Sequence, residues 1–397
     1  MNASKLRAWW WHRQGLDGSL RGQSPAAVLD RSGWARSVGG VGPYLTLFAR
    51  AGTSRQEADA AVAALDIHEL PSARGCTYVL PASDYAVGLT VGREYGGAEI
   101  KTAAKLGVTE AEIDALGVAV LDALADGPLD PDAIRRATGD ASRSLGAEGK
   151  KRGLTTTLPL ALGRLQAHGA IRRVPVNGRL DQQRYQYARW DDDPLANGAP
   201  PSLDAAFAEL ARRYFRWVGP ATLGEFQWFS GLGVRAAKQA VESLDLRSAE
   251  SGSDRLLLPD DVAAFRAHDV PAKAQYALVS SLDAVSAARR DIGQLLDPAD
   301  AAWLAQVDSG QRPLGGLSDL PSHAIFDRGR LVGLWEFDHD AGEIAWATFD
   351  GRRDGALDAA IDVTQAFVRD QLGDARSFSL DSPKSRTARV AALRRRR

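Results

Sequence analysis

The sequence predicts an α+β chain of three tandem winged-helix domains followed by a small β-rich C-terminal domain, and three observations carry that expectation. A run of helices closed by a pair of strand-like segments recurs three times before about residue 270, and repetition of one supersecondary unit marks a tandem architecture. The clearest copy ends in Leu154 to Trp190, where helix-spaced Leu154, Leu158 and Leu165 give way to two short strand-like runs split by Asn177-Gly178, a dipeptide favoured in tight hairpins. After about Pro271 the pattern turns to short apolar runs separated by turn residues, which reads as a sheet.

In the first unit, residues 1–100, Ser24-Pro25 supplies an N-cap with proline at the first helical position, starting a helix through Asp30. Tyr44 to Arg50 is a second, apolar helix, Ser54 caps a third through Ala64, and strands at Ile67–Leu70 and Thr77–Leu80 close the unit, with Pro71 to Gly75 as the wing. In the second unit, 101–192, Thr109 caps a long helix to Ala125, Asp130-Pro131 starts another, Leu154 to His168 is the third, and Ile171 to Trp190 is the wing. The Asp-, Pro-, Gly- and Asn-rich stretch Asp191 to Pro201 is the linker to a third unit, 193–270. That unit runs from Ser202 through Ala221–Ser230 and Val234–Ser243 to a strand at Arg255–Leu258. The C-terminal domain, 271–380, has strands at Tyr276–Val279, His323–Phe326, Leu331–Phe337 and Glu343–Phe349 and an amphipathic helix at Ala356–Gln371. The end, 381–397, reads as a disordered basic tail.

With 397 residues, 45% hydrophobic and 25% charged, the chain is an ordinary globular protein of several domains. The single cysteine, Cys76, excludes an internal disulfide and a cysteine-built metal site, and no cofactor or metal is expected. Leu6 to Trp11 is apolar but is broken by His12 and Arg13, so no membrane span or signal peptide is expected and the protein is placed in the cytoplasm. Adjacent helical positions diverge by about 100°, so one of Trp9, Trp10 and Trp11 is expected to face outward.

Net charge is −1, yet the charge is segregated. From Ala141 to Trp190 ten cations (Arg143, Lys150, Lys151, Arg152, Arg164, Arg172, Arg173, Arg179, Arg184, Arg189) face two acids, Glu148 and Asp181. Such a surface suits a phosphate backbone, because each neutralised phosphate releases counterions. Double-stranded DNA is therefore the expected partner of a monomer associated with the nucleoid. The segment Trp34 to Gly42 is a Gly-rich loop between helices, where backbone amides approach a phosphate or sugar, Arg36 is an anchor, and Trp34 or Tyr44 offers a stacking face.

Three segments resemble the winged-helix DNA glycosylases of the AlkZ/YcaQ family, which unhook alkylated and crosslinked bases. Gly42-Pro43-Tyr44-Leu45-Thr46-Leu47-Phe48-Ala49-Arg50 resembles the family's apolar helix after the catalytic loop, and Arg74-Gly75-Cys76-Thr77-Tyr78-Val79-Leu80-Pro81-Ala82-Ser83-Asp84 resembles its first wing. Phe326-Asp327-Arg328-Gly329-Arg330-Leu331-Val332-Gly333-Leu334-Trp335 resembles its C-terminal hairpin, with Leu282-Asp283 and Arg289-Arg290 in the region before it. The resemblance implies that the C-terminal domain is a small β-barrel and that the whole forms a channel around duplex DNA. It also implies hydrolysis of the N-glycosidic bond of alkylated purines, with a Gln-x-Gln or Gln-x-Asp pair placing the water. Here that pair falls on Arg36 and Val38, and the family's wing histidine is Tyr78.

The expected catalytic residues are accordingly Asp283 and Arg36, with Asp30 and Glu69 as further carboxylates able to orient water. The expected DNA contacts are Trp34, Tyr44, Arg50, Arg74, Tyr78, Lys150, Lys151, Arg152, Arg164, Arg172, Arg173, Arg289 and Arg290. A noncatalytic DNA-binding protein or regulator on the same scaffold is the alternative, and a protein-docking module is a third reading.

Overall fold

The computed structural model of the chain describes residues 2–181, 184–190 and 201–396. The expected linker Asp191–Pro201 lies, apart from Pro201, outside the described residues. The first unit is built from α1 (Ala3–Arg13), α2 (Pro25–Ser32), β1 (Ala35–Arg36), α3 (Gly42–Ala51), α4 (Arg55–Ala63), β2 (Ile67–Pro71) and β3 (Thr77–Pro81). Its helix starts follow from local chemistry: Ser24 accepts from Ala27 N–H ahead of Pro25, and Ser54 and Glu57 form a reciprocal capping box. Part of the segment expected as a loop is strand β1, which pairs antiparallel with β3 (Ala35↔Val79, Arg36↔Tyr78). Two further helices, α5 (Tyr85–Arg93) and α6 (Gly97–Ala104), follow the hairpin.

The second pass comprises α7 (Glu110–Ala123), α8 (Pro131–Thr138), α9 (Gly146–Lys151), α10 (Leu158–Ala167), β4 (Ile171–Pro175) and β5 (Tyr185–Arg189). The helix expected from Leu154 starts only at Leu158, because Thr156 is engaged in an antiparallel bridge with Ser144 and Pro159 sits in the first turn. The third pass comprises α11 (Leu203–Val218), α12 (Leu223–Ser230), α13 (Val234–Val241), β6 (Arg247–Ser248) and β7 (Leu256–Leu257), followed by α14 (Asp261–Ala267). One detail unites the three passes. In each a residue three to six positions past a helix pairs with the hairpin's returning strand: Ala35 with Val79, Leu129 with Tyr187, and Ala221 with Leu256.

The C-terminal part holds β8 (Tyr276–Val279), α15 (Ala284–Ala287), β9 (Leu304–Val307), β10 (Gly310–Pro313), β11 (His323–Asp327), β12 (Arg330–Asp338), β13 (Glu343–Thr348), α16 (Gly355–Phe367) and α17 (Pro383–Arg394). Four strands form an antiparallel sheet in the linear order β13-β12-β11-β8, and β9-β10 is a separate ribbon. Both faces of the sheet are covered. Ile325, Trp335 and Phe337 pack with Leu45 of α3 and Phe367 of α16, whereas Phe326, Leu331 and Leu334 pack with Trp11 of α1 and Leu393 of α17.

Two expectations are corrected by this packing. All three N-terminal tryptophans are buried, at 2%, 0% and 1% exposure for Trp9, Trp10 and Trp11. Helix α1 is enclosed between the third pass and the C-terminal sheet, and its indole N–H groups find acceptors on both sides: Gly219 O at 2.8 Å, Pro220 O at 3.3 Å and Gln275 Oε1 at 3.1 Å. Over Leu6–Trp11 the helix is buried on every side and has no outward face to offer. The basic end is likewise not a disordered tail. Ser382 caps α17, Arg386 bonds Asp374 at 2.6 Å, Arg389 pairs with Glu336 at 2.7 Å, and Arg394 pairs with Asp338 at 2.8 Å. Three of its cations thus pair with acids outside the segment.

Candidate nucleic-acid interface

The pairing of β1 with β3 sets Arg36 directly opposite Tyr78, and the guanidinium lies over the phenol ring, 5.3 Å from its centroid. The hairpin tip brings Arg74 to the same side. Its guanidinium stacks on Trp228 of α12 at 3.5 Å from the ring centroid, and Arg290, just after α15, stacks on that indole at 4.0 Å. The approach of Arg74 depends on Gly231, the left-handed cap of α12, where a Cβ would stand 2.9 Å from Arg74 Cγ. These groups border a cavity of about 160 Å³, lined by Trp34, Arg36, Arg74, Tyr78 and Trp228 with apolar Phe229 and Leu282 beside them. Asp319 is the one carboxylate of that lining among the described residues, and it sits 3.4 Å from Arg290 Nε.

The electrostatics are those of an anion site. The Nη1 atoms of Arg36 and Arg74 are buried with no hydrogen-bond partner among the described residues. Burial lowers the Arg36 pKa, and the nearby Arg74 charge lowers it further. Burial raises Tyr78, while the two arginines pull it back. Such a surface can stack a planar group and donate hydrogen bonds to an oxyanion. Trp34 contributes a wall rather than a stacking face. It is 3% exposed, its Nε1 donates to Asp84 at 2.7 Å, and its ring abuts Trp217.

Several expected site residues lie elsewhere, sealed in the interior. Arg50 and Asp283 are fully buried and form a two-pronged pair, with Nη2 to Oδ1 at 2.7 Å and Nη1 to Oδ2 at 2.8 Å. Thr46 Oγ1 at 3.1 Å and Val285 N–H at 3.0 Å complete the carboxylate's partners. Burial alone would raise Asp283, but the Arg50 charge and these hydrogen bonds hold it below its ordinary value. With its lone pairs engaged, Asp283 is a positioning group for α15 and cannot orient a water in the cavity. Arg289 donates to Val218 O at 2.5 Å and stacks on Trp10 at 3.8 Å, and burial depresses it to about 10. Tyr44 bonds Asp59 and accepts from Leu180 N–H at 2.9 Å, stapling the first pass to the second. The expected DNA contacts through Arg50, Arg289 and Tyr44 are corrected on this ground.

The Gly-rich loop also differs from expectation. A Cβ on Gly40 would lie 2.2 Å from Ser377 O, Val41 N–H donates to Arg376 O at 2.9 Å, and Ser379 N–H donates to Val38 O at 3.1 Å. The glycines admit another stretch of chain rather than a phosphate. Asp30 is exposed and lines a different cleft with Arg31 and Arg216. Glu69 is buried under Arg173, 3.7 Å away, and burial pushes its carboxyl up to about 6.

The basic run divides into three behaviours. Lys150, Lys151 and Arg152 are exposed at the end of α9, with only Glu148 near Lys151 at 3.6 Å. Arg164 is held by Asp114 at 2.6 Å and by Glu110. Arg172 and Arg173 lie over Trp190 and Tyr185, at 5.8 and 5.0 Å from the ring centroids. Arg164 and Arg173 border an open cleft of about 660 Å³ between the first hairpin and α10. Sequence reasoning missed Trp228 and Asp319 as site residues. The tryptophan lies in an apolar helix and reads as core, and nothing in sequence links either residue to the first wing.

No cluster of three or more His, Cys, Asp or Glu side chains able to hold a metal occurs among the described residues, and no described helix is long and apolar enough to cross a membrane. The family description "DNA glycosylase AlkZ-like" matches residues 41–375. No curated protein matches the chain. Among solved structures, the Streptomyces sahachiroi DNA glycosylase AlkZ superposes with a TM-score of 0.70 at 19% identity, over 95% of this chain and 98% of that one, a likeness of fold.

Proposed function

Since the chain belongs to the AlkZ-like DNA glycosylase family, we propose that it binds duplex DNA and acts on the N-glycosidic bond of alkylated purines, including those of interstrand crosslinks. The reading includes a scaffold of three tandem winged helices. Its support is the extra strand pairing that recurs at Ala35, Leu129 and Ala221, and the sheet and ribbon after Pro271 serve as a barrel-like fourth unit. The protein is taken to work as a monomer on nucleoid DNA in the cytoplasm.

One observation carries the proposal: Arg36, Arg74 and Tyr78 from the first pass meet Trp228 from the third around a cavity whose buried guanidinium nitrogens lack acceptors. Lys150, Lys151 and Arg152 then clamp the flanking backbone, since they are three consecutive exposed cations at the end of α9. An N7-alkylated purine already carries positive charge and leaves readily, so the enzyme's task is to place a water at the anomeric carbon. Arg36 and Val38 stand where the family pair falls, and the water falls to Asp319, the carboxylate at the cavity.

Release of 7-methylguanine from methylated duplex, lost in Asp319→Asn and in Arg36→Ala, is the expected result. Duplex binding that weakens steeply with salt but is accompanied by no base release from any alkylated substrate would leave the noncatalytic reading, which the surplus of cations at the cavity favours. Duplex binding that is flat with salt would overturn both.

A further inference from the structure

The cluster around Trp228 is more specific than a general basic face, and three independent features show it. The first is size. At about 160 Å³ the cavity falls below the roughly 300–1,000 Å³ of sites that enclose whole small molecules, so a nucleoside stays at its mouth, beside exposed Asp319, and a single tetrahedral anion fits inside.

The second is unmet hydrogen bonding. Buried donors are almost always paired, yet two guanidinium nitrogens at this one cavity find no partner among the described residues. A guanidinium fork matches phosphate oxygens in geometry and charge. The third is the backbone. Arg74 and Arg290 adopt φ of 58° and 56°, a left-handed conformation uncommon outside glycine that concentrates at functional positions. The fold therefore holds two arginines in an unfavourable conformation, and their guanidinium groups stack on one indole ring.

Asp319 completes the arrangement. It is two-thirds exposed, at 66% of its side-chain surface, and its pairing with Arg290 at 3.4 Å is of the weak, solvent-screened kind. A stronger anion entering the cavity can take its place.

We infer that the Arg36–Arg74–Trp228–Arg290 cluster is the seat of one phosphodiester phosphate of bound DNA, received by Arg36 and Arg74 and closed over by Arg290 as it leaves Asp319. This rests on the duplex-binding reading above and adds to it a single, locatable backbone contact. Trp228 acts as the platform that keeps the two outer guanidinium groups at the right height. Arg290 is the moving part.

The test uses the full chain and a fluorescent duplex, with affinity followed against salt. In Arg74→Gly/Arg290→Gly, where glycine suits both backbone conformations, the slope of log affinity on log salt should fall by about one and the affinity roughly tenfold or more. The melting temperature should hold. Asp319→Ala should tighten binding several-fold by removing the competing anion, which a merely structural role for the cluster would not produce.

An unchanged slope in the double variant, with normal steep binding by the parent protein, overturns the phosphate seat and leaves duplex binding intact. Absence of duplex binding by the parent protein overturns both. Inorganic phosphate titrated into the DNA-free protein separates the two sources of the anion. Weak binding, outcompeted by duplex, is expected, whereas tight binding unaffected by duplex would assign the cavity to free phosphate and overturn the proposal.

Discussion

Arg50 and Arg74 lie only two dozen residues apart, and both are expected from the sequence as DNA contacts, yet they illustrate opposite uses of a guanidinium. Arg50 is sealed with Asp283, and every oxygen and nearly every nitrogen of that pair has a partner. Arg74 stands over an indole at the edge of a cavity with a buried nitrogen unmatched. The first holds α3 to α15, and the second, in the reading proposed above, receives a phosphate from outside the chain. The difference lies in where the acids are, and Asp283 is distant from Arg50 in sequence, so no count of local charge distinguishes them.

The largest expected effect sharpens this contrast. Arg50→Ala leaves Asp283 buried without its counter-charge and should cost about 3–5 kcal/mol, read as a lowered urea midpoint. Destabilisation below 1 kcal/mol would show that the pair is dispensable. Next comes Glu69, which lies between the two extremes because Arg173 approaches it but does not bond closely. Its carboxyl rises from 4.5 to about 6 on folding, so the folded state holds this proton more tightly than the unfolded one.

Its contribution therefore favours the fold below about pH 4.5 and is lost as pH rises through about 6. Glu69→Gln should be more stable than the parent protein by about 2 kcal/mol above pH 6, and the advantage should vanish toward pH 4. A constant difference across that range would contradict the assignment. Arg74→Gly/Arg290→Gly should change stability by no more than about 1 kcal/mol, because lost stacking offsets relieved backbone strain. The smallest effect is expected at Lys151→Ala, within about 0.5 kcal/mol in stability but with a duplex-binding salt slope lower by about one.

Those predictions depend on contacts that local sequence signals do not report. Ser24-Pro25, Ser54 with Glu57, Thr109 and Asp130-Pro131 announce their helices because a cap and its N–H partner lie within three residues of one another. The hairpin strands were legible for the same reason, from alternation and turn residues. Strand β1 was not, since two residues become a strand only by pairing with β3 more than forty positions later. The basic run at α17 reads as solvated until Asp374, Glu336 and Asp338 are brought beneath it. Of the candidate site, the sequence offers Arg36 on the loop and Arg74 and Tyr78 on the first wing, and the β1–β3 pairing sets Arg36 opposite Tyr78. Trp228, Arg290 and Asp319 join them only through the packing of the third pass and the segment after α15.

The clasp between Val38–Val41 and Arg376–Ser379 has a consequence for biosynthesis. The loop beside Arg36 leaves the ribosome well before its fastener, which follows on the order of tens of seconds later at ordinary elongation rates. Until then the glycines have nothing to close against. A nascent chain would thus expose cations without a set cavity until the segment around Arg376 is translated.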